Sequence, residues 1–131
     1  MKKLASILAL SALAVGSLTA CSSAEEKSDL KACQPYHESA VKMAKAASDL
    51  KTEEDRNNFI AIIKQMKADA TQGAKLAENP KLKTKFQNLD KPLDQIIENL
   101  KKNDLDKVEK IMLGIDDPWE ICAPLILKQN K

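Results

Sequence analysis

Few side chains in this chain could do chemistry beyond packing and solvation. The 131 residues include three cysteines (Cys21, Cys33 and Cys122) and one histidine (His37). Such residues form disulfides, bind metals, or serve as nucleophiles and bases. The sequence contains no Cys-x-x-Cys pair, phosphate-binding loop, zinc-protease helix motif, haem-attachment motif or Gly-x-Ser-x-Gly elbow. No sequence motif therefore indicates a particular reaction, and no motif identifies a nucleophilic serine.

The remaining polar candidates are isolated from one another. His37 adjoins Glu38, but neighbours on a helix point in different directions, so a metal ligand or general base at His37 would need partners from other helices. A packed histidine is the simpler interpretation. Asp104, Asp106 and Glu109 resemble part of a calcium loop, but its turn glycine and terminal glutamate are missing, and helix capping explains them better. We predict no catalytic residue, no metal site and no enzyme, and the sequence identifies no ligand-binding residue.

The methionines beyond the start residue form a third candidate group. Met43, Met66 and Met112 fall on apolar stripes with helical spacing. Methionine repacks easily and can line an adaptable apolar groove. Their stripe positions favour an ordinary core.

The amino-terminal residues have the composition of an export signal. Lys2 and Lys3 precede an apolar run from Leu4 to about Val15, which is followed by small residues. That run is too short to cross a bilayer as a helix, which takes about 20 residues. It leads to Leu18-Thr19-Ala20-Cys21, which resembles the lipobox of bacterial lipoproteins. The alternative is a plain signal peptide with a chance cysteine.

The lipobox resemblance implies where the mature chain resides. Residues 1–20 would be removed as a lipoprotein signal peptide, and Cys21 would become the lipidated first residue, carrying palmitate-type acyl chains and no other cofactor. Residues 21–28 are polar and lack periodicity, so we expect a flexible tether there and a helical domain over residues 29–131. The implied location is the bacterial cell envelope. With Ser22 after the cysteine, this means the outer membrane facing the periplasm in a Gram-negative host, and otherwise the outer face of the cytoplasmic membrane.

Charge argues against a nucleic-acid partner. The chain has 21 basic and 19 acidic residues, and removal of Lys2 and Lys3 leaves 21 − 2 = 19 basic residues, for zero net charge. A nucleic-acid binder relies on a basic surface to release counterions from phosphates. Lys81, Lys83 and Lys85 could meet anionic lipid headgroups, but a solvated helix start is the simpler interpretation.

Export also bears on the cysteine chemistry, because disulfides persist outside the cytoplasm. If lipid occupies Cys21, then Cys33 and Cys122 are the one remaining pair, and their bond closes a loop of 122 − 33 = 89 residues. The chain-entropy description assigns such a loop roughly 4 to 5 kcal/mol, less any strain. A metal or redox site is the alternative, but it would lack a second histidine or a Cys-x-x-Cys pair. We predict a structural disulfide.

The elements that must position these residues are helices. Apolar residues recur at intervals of three and four, no long stretch alternates with period two, and glycine is scarce. The predicted fold is all-α, a compact bundle of four to five helices in which the disulfide joins the first and last helices. The first expected helix covers about residues 29–50, and the second is capped at Thr52 and ended by Asn79-Pro80. Residues 81–88 and 91–102 should form two helices or one kinked helix. A further helix runs from an Asn103-Asp104 cap to a left-handed stop at Gly114, and the last starts at Asp116-Asp117-Pro118.

The same periodicity predicts the buried faces. Gly73, inside the second helix, should mark a bend or a close neighbouring backbone, because glycine costs roughly 1 kcal/mol in a helix interior. The expected inward residues are Leu30, Cys33, His37, Ala40, Val41, Ala44 and Ala47 in the first helix, with Tyr36, Met43 and Leu50 widening its stripe; Phe59, Ile62, Ile63, Met66, Ala70, Gly73 and Ala77 in the second helix; Leu82, Phe86, Leu89, Leu93, Ile96, Ile97 and Leu100 in the middle of the chain; Leu105, Val108, Ile111 and Met112 after the Asn103-Asp104 cap; and Trp119, Cys122 and Leu125 in the last helix.

These features favour a function based on location and contact. In plan the chain is similar to many small bacterial lipoproteins with a charged helical domain, a likeness that carries no functional residue. The leading hypothesis is an envelope lipoprotein acting as a protein-interaction or structural module, whose partners are the membrane, through its lipid, and another envelope protein. The alternative is a carrier or sensor that holds a small apolar ligand between its helices, which requires an internal cavity.

Overall fold

The computed structural model describes residues 24–129, which form six helices and no strand. α2 packs against α1, α3 and α4 pack against α2, α5 follows α4, and α6 returns to α1, to which the Cys33–Cys122 disulfide joins it. The predicted all-α bundle closed between its first and last helices is confirmed. No helix in this part of the chain is long and apolar enough to cross a membrane. The helices are α1 (Ala24–Ala47), α2 (Glu53–Leu76), α3 (Pro80–Gln87), α4 (Asp90–Lys101), α5 (Leu105–Leu113) and α6 (Trp119–Gln129).

The segments around Pro92 are two helices with a nearly continuous backbone. Asn88 and Leu89, which separate α3 from α4, both keep right-handed helical dihedral angles. The Leu93 N–H donates to the Leu89 carbonyl at 3.0 Å. Pro92 lies in the first turn of α4, where a backbone N–H has no intrahelical partner to lose. Counting α3 and α4 as one kinked unit gives five helices, within the predicted four to five.

Among the described residues, Asn103 and not Gly114 has a left-handed backbone conformation. Asn103 has a φ of 60°, and the following Asp104 N–H donates back to the Asn99 carbonyl at 2.9 Å, so Asn103 closes α4 with a Schellman-type end. Gly114 has a φ of −93° and donates to the Ile111 carbonyl at 3.1 Å. This tight right-handed turn needs no glycine, and the predicted left-handed stop at Gly114 is wrong.

α1 begins at Ala24, five residues earlier than expected. The segment 24–28, predicted as part of a flexible tether, forms the first turns of the helix. Glu25 and Glu26 lie where the helix dipole favours acidic groups, and Glu26 Oε2 lies 3.2 Å from Lys128 Nζ at the end of α6. Good helix formers thus extend a helix that is already held by packing. Cys21, the predicted lipidation site, and the signal peptide lie outside the described residues.

The buried face of α1 matches the predicted stripe only in part, at Cys33 and Tyr36. Val41 is 43% exposed, Ala44 and Ala47 are also exposed, and His37 is half-buried, so that these expected inward positions are wrong. Apolar periodicity alone misplaces this face because two of its buried residues, Asp29 and Ser39, are polar. The buried residues of α1 are Asp29, Ala32, Cys33, Tyr36 and Ser39.

The two buried polar residues of α1 each bond to another part of the bundle. Asp29 Oδ1 accepts hydrogen bonds from the Glu78 and Asn79 N–H groups, at 2.8 and 3.2 Å, where α2 gives way to α3. Ser39 Oγ donates to Asp69 Oδ2 on α2 at 2.5 Å. Burying such groups costs little only when they are bonded. Both therefore fix α1 in position relative to α2.

The apolar core lies between α2 and the α3–α4 pair, with α1 covering one side. The Tyr36 ring of α1 meets the Phe86 ring edge-on, with centroids 5.6 Å apart. All seven inward positions predicted in the middle of the chain are buried, which confirms that stripe. The largest fully buried core residues are Phe59, Ile63, Leu82, Phe86, Leu89, Leu93, Ile96 and Leu100.

Gly73 permits a close contact with an aromatic ring. A Cβ atom added at Gly73 would lie 2.9 Å from Cε2 of Phe86, closer than van der Waals contact allows. The close neighbour is therefore a side chain rather than a backbone. Phe86 is almost fully buried, so its ring has little room to retreat.

We expect Gly73→Ala to lower the free energy of unfolding by about 1 to 2 kcal/mol, because overpacking outweighs the roughly 1 kcal/mol gain in helix propensity. In a Phe86→Leu background, where the ring is gone, the same substitution should be neutral or stabilising. Urea denaturation of the four proteins of this cycle measures both effects. Equal effects of Gly73→Ala in both backgrounds would contradict the contact.

Candidate functional site

The paired cysteines are fully buried between α1 and α6. The Cα atoms of Cys33 and Cys122 lie 5.5 Å apart, and both side chains are inaccessible to solvent. The predicted pairing is confirmed. Since both thiols are consumed by the bond, neither is free to bind a metal.

Tyr36 and Asp117 continue this contact one turn along α1. The Tyr36 hydroxyl donates to Asp117 Oδ1 at 3.1 Å, and the same oxygen accepts the Trp119 N–H at 2.8 Å, at the start of α6. Burial, followed by the nearby Asp117 carboxylate, raises the pKa of Tyr36 far above its usual value. The phenol therefore stays a neutral hydrogen-bond donor and fixes the α6 entry.

His37 stacks on Trp119 at the edge of this contact. The two rings are nearly parallel, at 13°, with centroids 4.8 Å apart. Trp119 remains 38% exposed, so its predicted inward position is wrong: its ring covers the histidine at the surface. Within residues 24–129, no three His, Cys, Asp or Glu side chains converge as a metal site. The structure places His37 in a packing contact.

The acidic and basic clusters noted in the sequence have local roles. Asp104 Oδ1 accepts a hydrogen bond from the Lys107 N–H at 3.2 Å, so Asp104 is the N-cap of α5, as the sequence predicted. Lys85 Nζ pairs with Asp116 at 2.5 Å, and the hydrogen bond raises the pKa of Lys85. The structure does not bring Lys81, Lys83 and Lys85 together on one anion.

Two adjoining open grooves run along α2, beside α3 and α4. Their volumes are about 410 and 580 Å³, and they share Lys67 and Thr71. Lys67 Nζ lies 2.7 Å from Asp94 and 3.6 Å from Asp90, and the hydrogen bond to Asp94 raises the pKa of Lys67. No buried side-chain polar atom in the described residues is left without a partner. The ion pairs of Lys67 thus lie where the two grooves meet.

A small cavity lies between α1, α2, α4 and α5. Its volume is about 80 Å³. Met43, Met66 and Met112, from three different helices, all contribute to its wall, so the three methionines singled out in the sequence share one site. We call it the methionine cavity; its other lining residues are Tyr36, Leu89, Leu93, Ile96, Ile115 and Asp117.

A largely apolar groove lies beside α5, where α1 ends and α2 begins. Its volume is about 310 Å³. Leu113 is 80% exposed and Leu105 37% exposed at its edge, and Glu109 is its one charged lining residue. We call it the α5 groove; its lining residues are Ala47, Leu50, Phe59, Leu105, Val108, Glu109, Met112 and Leu113.

Sequence reasoning missed the α5 groove. It placed Leu105 on the inward stripe of α5 and left Leu113 unassigned. The available signal was Leu113 itself, a large apolar residue that follows the Val108–Met112 stripe and directly precedes Gly114. The volume of the groove depends on how α1, α2 and α5 meet, which no local pattern reports.

No protein-family model, curated protein or solved structure significantly matches this chain.

We expect His37 to contribute to stability through its stack on Trp119. His37→Gln should lower the free energy of unfolding by about 0.5 to 1.5 kcal/mol, the range for a ring pair. In a Trp119→Leu background the same change should cost clearly less, because the partner ring is absent. Urea denaturation measures the cycle. Tight one-to-one Zn²⁺ binding that disappears in His37→Gln would instead make this residue a ligand.

Proposed function

We propose that this protein is a lipid-anchored component of the bacterial cell envelope that binds an amphipathic helix of a partner protein in the α5 groove. The observation that carries the proposal is the groove itself, an apolar depression edged by the exposed side chain of Leu113. Helical partners commonly place an apolar ridge in such a groove between helices.

Exposure of Leu113 has an energetic cost that a partner would remove. Fully burying a leucine side chain contributes about 1.5 to 3 kcal/mol, and Leu113 retains 80% of its exposure in the isolated chain. Leu105 lies on the same rim, so one apolar ridge could cover both. An apolar cluster surrounded by charged residues is typical of a protein-interaction surface.

The position of the groove supports a protein partner rather than the membrane. Cys21, the proposed anchor, precedes the first residue of α1 by three positions. α1 has 24 residues and is about 36 Å long, and the groove begins at its other end, at Ala47 and Leu50. A lipid on Cys21 would hold the opposite end of α1 near the bilayer, so the groove would face the aqueous compartment.

The α5 groove also suggests the character of the partner helix. Its wall is apolar apart from Glu109, so leucine-like residues spaced by three and four would fill it. A lysine or arginine on the flank of that helix would complement the Glu109 carboxylate.

The internal cavity does not support the alternative of an apolar-ligand carrier. An engineered cavity of about 150 Å³ in another protein is just large enough for benzene, whereas the methionine cavity measures about 80 Å³. A lipid or other extended apolar ligand would need a much larger enclosed space.

The test is site-specific photo-crosslinking from position 109 in native host cells, followed by identification of the crosslinked peptide. We expect an adduct with a predicted amphipathic helix of an envelope protein. Leu113→Asp should abolish the adduct because it places a charge in the groove. Leu127→Asp is the matched control: Leu127 is 60% exposed on α6, outside the groove, and its substitution should leave the adduct unchanged.

Three outcomes would contradict the proposal. An adduct that persists in Leu113→Asp would place the contact elsewhere, an adduct with lipid would make the groove a membrane or ligand contact, and an adduct with a second copy would make it a self-association surface. The anchor is tested separately. Cys21→Ser should give an unprocessed or inefficiently cleaved precursor that incorporates no fatty-acid label; equal labelling would refute the anchor without affecting the groove.

A further inference from the structure

The methionine cavity is lined by every methionine of the chain except the start residue. The sequence has four methionines, and Met43, Met66 and Met112 all line this one space. They come from α1, α2 and α5, which are separated in the chain, so the fold and not sequence proximity assembles them. Three thioether side chains thus line a single cavity of about 80 Å³.

The methionine cavity is large enough to hold a small ion. Methionine is used in cores because its flexible side chain fills irregular gaps. Here the three side chains border a space of about 80 Å³, whereas one bound water needs only about 10 to 15 Å³.

The chemistry of the wall suits a soft monovalent cation. Thioethers are soft, neutral ligands that select Cu(I) and related ions over hard cations. Three of them from three directions leave the ion's positive charge uncompensated in an apolar site, which is costly. Asp117, an exposed residue that also lines the cavity, supplies a carboxylate at the solvent side. The Tyr36 hydroxyl orients that carboxylate by donating to its Oδ1.

We propose that the methionine cavity is a binding site for one Cu(I) ion, or its redox-inert analogue Ag(I), with Met43, Met66 and Met112 as ligands. Binding changes no oxidation state and releases no proton, because thioethers are neutral and remain so. Leu89, Leu93 and Ile96 complete the apolar part of the wall. This site is independent of a partner in the α5 groove, although Met112 borders both.

The test is calorimetric titration of the full chain with Ag(I), with the disulfide intact and Cys21→Ala in every sample so that no free thiol competes. We expect one ion to bind per chain and Mg²⁺ not to bind. Each of Met43→Leu, Met66→Leu and Met112→Leu should weaken binding by at least about tenfold, since removal of even an outer-shell partner has that effect. The triple variant should not bind.

Matched controls separate sulfur ligation from other effects. Leu93→Ile alters the same wall but removes no sulfur, and His37→Gln removes the one imidazole; both should bind like the parent protein. Leu113→Asp should also bind normally, so failure of the groove proposal and failure of this one are distinguishable. In carbon-13 methyl NMR, the signals of all three methionines should move together with one equivalent of Ag(I).

Absence of Ag(I) binding to the parent protein would overturn the proposal, as would binding that survives in the triple variant. An equal loss in Leu93→Ile would do so as well, because cavity shape rather than sulfur would then control affinity. Leucine for methionine nearly conserves volume. Should the triple variant nevertheless fail to fold by circular dichroism, the three single variants decide the outcome.

Discussion

The bond between Cys33 and Cys122 is the constraint on which the arrangement of this bundle depends. It joins residues 89 positions apart and fixes the middle of α6 against the first half of α1. The contacts on either side show that the two helices run antiparallel. Glu26 pairs with Lys128 at one end, and His37 stacks on Trp119 at the other. One covalent link therefore sets the register of a whole row of weaker contacts.

α6 depends on this link because α1 is the one described helix against which it packs extensively, whereas α1 is also held by α2. Asp29 and Ser39 are buried, and their hydrogen bonds to the α2–α3 connection and to Asp69 repay desolvation with little net gain. The apolar core lies between α2 and the α3–α4 pair, and α1 covers one side of it. The disulfide therefore holds α6 to this unit through α1, while the packing of α1 against α2 places Met43 at the methionine cavity and Ala47 at the α5 groove.

Sequence predicted the burial of a residue correctly where that burial follows from the residue's own type and spacing, and failed where it depends on partners distant in the chain. The stripe from Leu82 to Leu100 was predicted in full because its residues are apolar and face one core. The face of α1 was misplaced because Asp29 and Ser39 look solvent-exposed until their partners, distant in the chain, are known. Of the proposed sites, the methionines were recognised as a group, but their convergence depends on tertiary packing. The α5 groove left no local pattern beyond Leu113.

Urea denaturation of the oxidised protein and of a Cys33→Ala/Cys122→Ala variant, followed by far-UV circular dichroism, tests most directly whether this bond holds the bundle together. The variant should retain its helical signal without denaturant, because the apolar core remains. Its free energy of unfolding should fall by roughly 3 to 5 kcal/mol, as expected for an 89-residue loop. An unchanged free energy of unfolding would contradict the central role assigned to the disulfide.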